Sequence, residues 1–329
     1  MKIGIVGITG AVGQELLELV KERRFSFSEI RLFASNKSIG KKIKFKSKVY
    51  KIIRLNKKNL EGLDLVFFVA GSIVSKKFAT IASNNGSYVI DNSSAFRLNK
   101  NIPLIIPEIN SDALMSSNSR IIANPNCTTI ISLMGIKPLL NLQKIKRVVA
   151  TSFQSVSGAG NNGMNELLEN TKRFFNNKKS LNKVFDKNIT FNVIPKIGSF
   201  NLNGYTEEEM KFNNESRKIL NIPQLIVEPS NARVGVKTGH GIFCSATFEE
   251  ETDVQEAIGL IDSFDGVEYW KDKLPTPLDA EGNKKVLVGR MRNGLSDNRI
   301  LNFWAVSDNL LKGAALNAVQ IARYIVDND

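Results

Sequence analysis

The chain opens on a strand, a glycine-rich turn and a helix, and that order narrows the folds open to it. Lys2 to Val6 is an apolar run that meets Gly7-Ile-Thr-Gly10-Ala-Val-Gly13, and Gln14 to Lys21 then carries Leu16, Leu17 and Val20 on one helical face. Glycines at such a junction allow a tight turn, let the backbone approach a pyrophosphate, and let the helix pack on its sheet. The first helix amides then face the phosphates. The spacing is GxxGxxG and not GxGxxG, so the turn alone leaves a plain βα connection as the lesser reading.

The following stretches extend the pattern. Ile30 to Ala34 reads as a second strand, and Ser35-Asn36-Lys37-Ser38 and Gly40-Lys41-Lys42 follow it. An acidic residue there would hold a ribose 2′-hydroxyl. Hydroxyls and cations stand in its place, which suits a 2′-phosphate and favours NADP over NAD. Lys44 to Asn56 reads as a small hairpin, Leu63 to Ala70 and Tyr88 to Asp91 as strands, Ser75 to Asn84 as a helix, and Ile121 to Ala123 as a last strand. Strands alternating with helices predict a doubly wound parallel sheet of Rossmann type. Gly7 to Gly13, Ser35 to Ser38, Gly71, Asn92 to Arg97 and Cys127 all fall just after expected strands, where such sheets collect ligands.

After Pro138 to Leu140 the texture changes. Arg147 to Phe153, Asn188 to Ile194, Leu225 to Pro229, Arg233 to Lys237, Gly241 to Phe248, Lys285 to Met291 and Arg299 to Val306 read as strands. Helices are expected over Met164 to Phe175, Thr206 to Leu220 and Asp253 to Phe264. This predicts an α+β second domain on a largely antiparallel sheet. An Ala-rich helix, with Ser307 or Asp308 as N-cap, closes the chain.

A length of 329 residues suits two domains. No apolar run reaches membrane-spanning length, and the N-terminus reads as a strand and not as a signal peptide, so a cytoplasmic protein with no membrane partner is expected. Two cysteines, Cys127 and Cys244, offer no disulfide framework, and no metal is expected. The net charge of +13 raises nucleic acid as a partner. The lysines are spread along the chain without interleaved aromatics, so nucleic-acid binding is not expected. A positive field that draws in anionic small molecules is the milder reading.

Two residues carry the chemical argument. Cys127 follows Asn124-Pro125-Asn126 where a strand hands over to a helix. A helix N-terminus favours a thiolate, the nucleophilic form of cysteine, yet on position alone a buried structural cysteine is the commoner reading. Cys244, inside a strand, reads as core. His240 is the sole histidine and lies between Gly239 and Gly241. Most single histidines are ordinary satisfied residues, but no other imidazole is present to serve as a base for Cys127. Arg233 is a candidate for a bidentate grip on a carboxylate. Its seven-residue offset from His240 places the two on opposite faces of one strand unless the chain bends at Gly235 or Gly239.

The chain resembles aspartate-β-semialdehyde dehydrogenase over essentially its full length. The resemblance is carried by Gly7 to Gly13, Asn92-Ser-Ser-Ala-Phe-Arg97, Asn124-Pro-Asn-Cys-Thr-Thr129, Phe153-Gln-Ser-Val-Ser-Gly-Ala-Gly160, Gly204-Tyr-Thr-Glu-Glu-Glu-Met-Lys211, Arg233 to His240, and Asp308-Asn-Leu-Leu-Lys-Gly-Ala-Ala315. It implies that Cys127 is the nucleophile that forms an acyl-thioester, that His240 is the acid/base residue, and that Gln154 orients the substrate. It implies that Arg233 and Glu208 bind the substrate's carboxylate and amino groups, and that Arg97 and Lys211 bind phosphate. Thr9, Gly10, Ala11, Val12, Lys37, Ser38, Ser157, Gly158 and Asn309 fall on NADP-contacting positions. The expected domains are 1–127 with 308–329 for NADP, and 128–307 for catalysis and homodimerisation.

The sequence departs from the family at Ile8, where Ala is usual, at Gly235, where Pro is usual, and at Gly241, where Ser is usual. The implied reaction is NADP-dependent reductive dephosphorylation of aspartyl-4-phosphate to aspartate-4-semialdehyde, in the synthesis of lysine, threonine, methionine and diaminopimelate. N-acetyl-γ-glutamyl-phosphate reductase and glyceraldehyde phosphate dehydrogenase share its thiol chemistry. A non-catalytic NADP-binding paralogue and a basic binding protein are the readings from other classes. The Gln154 to Gly160 run and the Glu208 to Lys211 stretch favour the aspartate enzyme.

Overall fold

The computed structural model describes residues 1–22 and 27–328. They form two compact units, Met1–Asn126 with Ala314–Asp329, and Cys127–Gly313. Residues 308–313, expected with the first unit, belong to the second.

The first unit is built on β1 (Lys2–Val6), β2 (Glu29–Ala34), β3 (Lys42–Phe45), β4 (Lys48–Lys51), β5 (Ile53–Arg54), β6 (Leu65–Phe68), β7 (Tyr88–Asp91) and β8 (Ile121–Ala123). Strands β3 and β4 form the hairpin expected near Lys44. The others form a six-stranded sheet in the order β5-β2-β1-β6-β7-β8, with parallel pairing throughout. Every residue of β6 is buried, as a strand covered on both faces requires. Each such side chain contributes about 1.5–3 kcal/mol through burial.

The chain order reverses between β1 and β6, which makes the carboxyl end of β1 the switch point of the sheet. There the turn leads into α1 (Ala11–Glu22). Gly7 adopts φ +100°, and a Cβ on it would stand 2.7 Å from the Val69 carbonyl. The Gly7 and Ile8 amides donate to the Phe33 carbonyl at 2.9 and 3.1 Å. A Cβ on Gly13 would collide with the Gly7 carbonyl, so α1 packs directly onto the turn. Helix α2 (Ser72–Asn84) follows Gly71 after β6.

The second unit begins with α3 (Cys127–Ile136), then β9 (Ile145–Gln154), α4 (Gly160–Phe175), β10 (Val193–Ile194), α5 (Glu207–Leu220), β11 (Ile226–Val234), β12 (His240–Phe248), α6 (Val254–Asp262), β13 (Val267–Trp270), β14 (Val286–Asn293) and β15 (Ile300–Ser307). The sheet is seven-stranded, in the order β10-β11-β9-β12-β15-β14-β13. It is mixed: β9 with β11 and β13 with β14 are parallel, and the remaining pairs are antiparallel. Helix α3 is buried from Thr128 to Ile136 and lies on β12, β14 and β15. A Cβ on Gly135 would reach within 2.7 Å of the Phe303 ring, so helix and sheet approach closely there. On the other sheet face Phe153, Phe243 and Trp304 form an aromatic cluster, with Phe243 and Trp304 centroids 4.6 Å apart.

Two strand expectations change. Leu225 to Pro229 and Arg233 to Lys237 do not form two strands: a single strand, β11, runs over Ile226–Val234, and Gly235 to Lys237 lie beyond it. Pro229 interrupts nothing because it pairs with Ala150 of β9 on one side, while β10 reaches only Arg233 and Val234 on the other. A proline fits such an edge. Asn188 to Ile194 shortens to β10, because Phe191 takes φ +53° and the Asn188 side chain accepts from the Thr190 amide at 3.1 Å to make a turn.

The last helix, α7 (Leu316–Asn328), is preceded by a π-helical turn over Leu311–Ala315. Asp308 caps that turn, its Oδ1 accepting from the Leu310 and Leu311 amides at 2.8 and 3.3 Å. Helix α7 packs on α1 and β7 and so completes the first unit. Its buried Asn317 donates to the Ile105 carbonyl at 3.0 Å and to Asn124 Oδ1 at 2.7 Å. Among the described residues no helix is long and apolar enough to cross a membrane.

Candidate active site

Cys127 is the first residue of α3 and is partly exposed. The first amides of a helix have no intrahelical partners and its dipole stabilises an anion there. The segment Asp308–Gly313 runs against it: a Cβ on Gly313 would lie 2.9 Å from the Cys127 Cβ. Cys244 is 2% exposed, and burial pushes its thiol up to about 12, which leaves it inert.

Strand periodicity gathers the polar groups around that helix. Arg233 of β11 is in register with Gln154 of β9, and Gly241 at the start of β12 is in register with Phe153. Residues in register point to the same sheet face. Gln154, Arg233 and His240 are all buried at one end of three adjacent strands, on the face that carries α3. The opposite-face problem for Arg233 and His240 does not arise, because β11 ends at Val234, β12 starts at His240, and β9 lies between them. Gly239, at φ +91°, makes the turn into β12.

The side chains interlock. Gln154 Nε2 donates to Thr128 Oγ1 on α3 at 2.9 Å and to Glu208 Oε1 at 3.3 Å. Glu208 Oε2 accepts from Lys211 Nζ at 2.9 Å. Both residues lie on α5, where a three-residue offset makes side chains neighbours. Thr206 and Glu209 form a capping box that starts this helix, and Glu208 lies in its first turn. Arg233 donates from Nη1 to the Ser155 carbonyl at 2.8 Å, and its guanidinium lies 6.0 Å from the Phe185 ring. Burial lowers the Arg233 pKa, and the neighbouring Glu208 and Cys127 oppose that fall.

Arg233 also lines a cavity of about 330 Å³ with Phe185, Lys196 and Ser199, a size that admits a small metabolite. Phe185 is held there by Glu166, whose carboxylate accepts from the Lys183, Val184 and Phe185 amides.

His240 is fully buried. Its Nδ1 accepts from the Ser155 amide at 3.1 Å and lies 3.0 Å from Ser155 Oγ. Its Nε2 has no protein partner among the described residues. Burial, then the Arg233 charge, holds the imidazole pKa down to about 3, against the opposing pull of Glu208 and the Gly239 carbonyl. A Cβ on Gly158 would stand 2.7 Å from Arg233 Nη1 and 3.3 Å from His240 Nε2. That glycine keeps open the space where the two groups converge.

Asn309 ties the turn after β9 to the histidine loop. Its Oδ1 accepts from Ser155 Oγ at 3.1 Å, Ser157 Oγ at 2.9 Å and the Gly239 amide at 3.0 Å.

The remaining expected residues lie in the first unit. Thr9, Gly10, Ala11 and Val12 form the β1 turn and the start of α1. Lys37 and Ser38 sit in a short helical turn after β2, with Lys37 exposed and Ser38 buried. Arg97 is 7% exposed. Its Nε donates to the Asn124 carbonyl at 2.9 Å and its Nη2 to the Asn92 carbonyl at 2.8 Å, which places it at the carboxyl ends of β7 and β8. The glycine turn fits a dinucleotide, since its backbone is bare where phosphates approach.

Sequence reading overlooked Ser155 and Thr128. Both lie inside motifs already singled out, but only the three-dimensional register shows what they touch. It also overlooked Asp91, whose buried carboxylate accepts from Ser75 and Ser93 hydroxyls at 2.6 and 2.7 Å.

Two of the three departures from the family pattern, at Gly235 and Gly241, have local causes. A Cβ on Gly241 would collide with the Trp304 ring, and one on Gly235 would lie 2.7 Å from the Ile189 carbonyl.

Known proteins match this geometry. Residues 2–117 match the family model described as semialdehyde dehydrogenase, NAD binding domain. Residues 136–312 match semialdehyde dehydrogenase, dimerisation domain. The chain is 41% identical to aspartate-semialdehyde dehydrogenase 2 of Vibrio cholerae, over 98% of this chain and 97% of that one. It is 43% identical to the aspartate-semialdehyde dehydrogenase of Rickettsia bellii, over 98% and 97%. The crystal structure of aspartate semialdehyde dehydrogenase II from Vibrio cholerae superposes with a TM-score of 0.97 at 40% identity, covering 99% of this chain and 98% of that one, and a second structure of it, complexed with ASA, matches equally. The chain belongs to the aspartate-semialdehyde dehydrogenase family.

Proposed function

We propose that the chain reduces L-aspartyl-4-phosphate to L-aspartate-4-semialdehyde with NADPH, releasing phosphate, as a step towards lysine, threonine, methionine and diaminopimelate. The observation that carries this reading is the convergence of Gln154, Arg233 and His240 on the sheet face that bears the Cys127 helix.

In this reading the Cys127 thiolate attacks the acyl carbon, the C–O bond to phosphate breaks, and a thioester forms. The helix N-terminus lowers the cost of the thiolate. Gln154 orients the acyl group, Arg233 grips the substrate carboxylate, and Glu208 receives its ammonium. Lys211, and Arg97 of the first unit, are the proposed phosphate binders.

When bound, NADPH supplies the hydride that reduces the thioester carbon. His240 serves the oxygen that becomes negative, and collapse of the thiohemiacetal breaks the C–S bond and returns the thiolate. Thr9, Gly10, Ala11, Val12, Lys37, Ser38, Ser157, Gly158 and Asn309 are the proposed cofactor contacts. The missing acid and the exposed Lys37 after β2 support NADP over NAD. A homodimer through the second unit is supported by its dimerisation-domain match and by the aromatic face of Phe153, Phe243 and Trp304.

The test is phosphate-dependent oxidation of aspartate semialdehyde with NADP, beside NAD and beside N-acetylglutamate semialdehyde. The expected result is activity with NADP and the aspartate compound, and a loss of roughly a thousandfold or more in Cys127→Ser. Inactive wild type, preference for the acetylated substrate, or full activity in Cys127→Ser would each overturn the reading.

A further inference from the structure

The lysines are spread along the chain, but the acids that balance them are not. Residues 30–60 hold eleven lysines and arginines and no aspartate or glutamate, so about a tenth of the chain supplies 11 of its 13 net positive charges. The fold turns that run into a surface. Strands β3 and β4 pair with Lys42 opposite Lys51 and Lys44 opposite Val49. Cross-strand partners and residues two apart point to one sheet face, so these four share a face, and all four are exposed. Ile43, Phe45 and Tyr50 take the other face, where the buried Phe45 meets the Phe27 and Tyr50 rings at centroid distances of 6.0 and 6.1 Å. Lys41 before β3, Lys46 and Lys48 at the turn, Arg54 of β5, and Lys57 and Lys58 of the helical turn Lys57–Leu60 are exposed as well. Arg31 pairs with Glu29. Among the described residues the ten other cations of the run make no ion pair.

This arrangement costs the hairpin stability. Like charges directly opposite destabilise a strand pair, and Lys42 faces Lys51. Lys46 takes φ +53° at the turn, a region that glycine or asparagine enters readily and lysine does not. Solubility is served as well by interspersed charges of both signs, whereas a field of one sign draws in an anion. The shape of the surface says which anion. Its lysines sit on strands whose alternate residues are about 6.8 Å apart, twice the advance of about 3.4 Å per nucleotide along one strand of a duplex. The face of Lys42, Lys44, Val49 and Lys51 carries no aromatic ring, so unstacked bases have no platform there. The phosphates of a duplex need none, because backbone contacts alone give sequence-independent binding.

We propose that the β3–β4 hairpin is a docking surface for the phosphate backbone of double-stranded nucleic acid, bound without sequence preference. Lys42, Lys44 and Lys51 form its centre, and Lys41, Lys48 and Arg54 stand beside them. None of these residues belongs to the site proposed for aspartyl phosphate or for its cofactor, so the binding stands apart from that activity.

Fluorescence anisotropy of a labelled duplex of about 30 base pairs and arbitrary sequence, titrated with the full-length protein from about 50 to about 200 mM salt, tests this. The expected Kd is of micromolar order, and log K should fall against log salt with a slope of about −5, as for about six phosphate contacts. In the triple variant Lys42→Gln, Lys44→Gln, Lys51→Gln the slope becomes shallower by about 3, and affinity at about 100 mM salt falls more than about tenfold. The triple variant Lys172→Gln, Lys178→Gln, Lys179→Gln removes the same charge from exposed positions of the second unit, and should keep the wild-type slope and an affinity within about threefold. Equal losses in the two triple variants would mean that net charge alone binds the duplex, and would overturn the proposal. So would the absence of duplex binding at about 50 mM salt, or tighter binding to a single strand of the same length. Binding to vesicles of phosphatidylglycerol without binding to the duplex would assign the surface to lipid instead. The hairpin variant loses the Lys42–Lys51 opposition and is expected to be at least as stable as the wild type in urea. Should it fail to fold, the wild-type slope and Lys44→Gln alone, with an expected change of about 1 in that slope, still decide.

Discussion

Gln154 and Arg233 stand opposite each other on two parallel strands, and the turn that follows Gln154 brings Gly158 back against the Arg233 guanidinium. Any side chain at residue 158 therefore presses on the group proposed to hold the substrate carboxylate. In Gly158→Ala the new Cβ would lie 2.7 Å from Arg233 Nη1. The guanidinium is bonded to the Ser155 carbonyl at 2.8 Å, so it moves only by giving up that bond. The expected variant folds, since the displaced atoms end a long side chain, but kcat/KM for the semialdehyde falls about a hundredfold, as for other small misplacements of a positioning group. Steady-state kinetics with a thermal melt beside them separate this from misfolding. Wild-type kinetics in a folded Gly158→Ala would show that the space is not used.

The glycine beside the histidine makes a second case. A Cβ at Gly241 would collide with the Trp304 ring, and Trp304 is pinned by its indole N–H to the Pro275 carbonyl at 2.8 Å. Gly241→Ser, which restores the residue usual in the family, is expected to destabilise the fold by about 1–3 kcal/mol through overpacking. Trp304→Leu should recover part of that loss in the double variant, because the two residues share one space. Urea unfolding at a single protein concentration, fixed because a dimer's stability depends on it, measures the coupling. Additive effects of the two substitutions would show that the collision is relieved elsewhere.

The first unit was legible because its signals are local. The β1 turn announces itself through Gly7 and Gly13, and β6 through an unbroken apolar run. The mixed character of the second sheet was only half visible, because pairing direction is set by connections across the chain and not by the strand's own residues. Pro229 looked like a strand end, yet its missing N–H costs nothing on the edge left by the short β10. The candidate site divides in the same way. Cys127 could be found from its place before an apolar helix. The partnership of Arg233 and His240 could not, because β9 inserts between the strands that carry them. Ser155 was hidden for the same reason: its amide is a hydrogen-bond donor to a residue 85 positions away.

Asn317 tests how the C-terminal helix is held in the first unit. It is fully buried, and its amide bridges the Ile105 carbonyl and Asn124 Oδ1. Asn317→Ala leaves both acceptors without that donor and opens a small cavity. The expected cost is about 2–4 kcal/mol, from the desolvated acceptors and the lost packing. Hydrogen exchange should then quicken at the buried end of α7 before it quickens in β9, β11 and β12. Equal acceleration in both units would mean that α7 is not the local weak point.

His240 also sets a pH dependence of stability whose sign can be worked out. Burial holds its pKa down to about 3 in the folded chain, against an ordinary value of 6.5. Between those values the unfolded state binds a proton that the folded state does not, so stability rises with pH across the window. The contribution is complete above pH 6.5 and is lost as pH falls towards 3. By about pH 5 the loss should be about 2 kcal/mol relative to neutral pH. The other titrating groups are common to both proteins and cancel in a comparison with His240→Gln, which carries no titrating imidazole. The stability difference between wild type and His240→Gln, followed by urea unfolding from about pH 8 to pH 5, should therefore shift against the wild type as pH falls. With one histidine in the chain, no other imidazole can account for such a slope, and a difference that stays flat would show that His240 takes up its proton as readily in the folded chain as in the unfolded one.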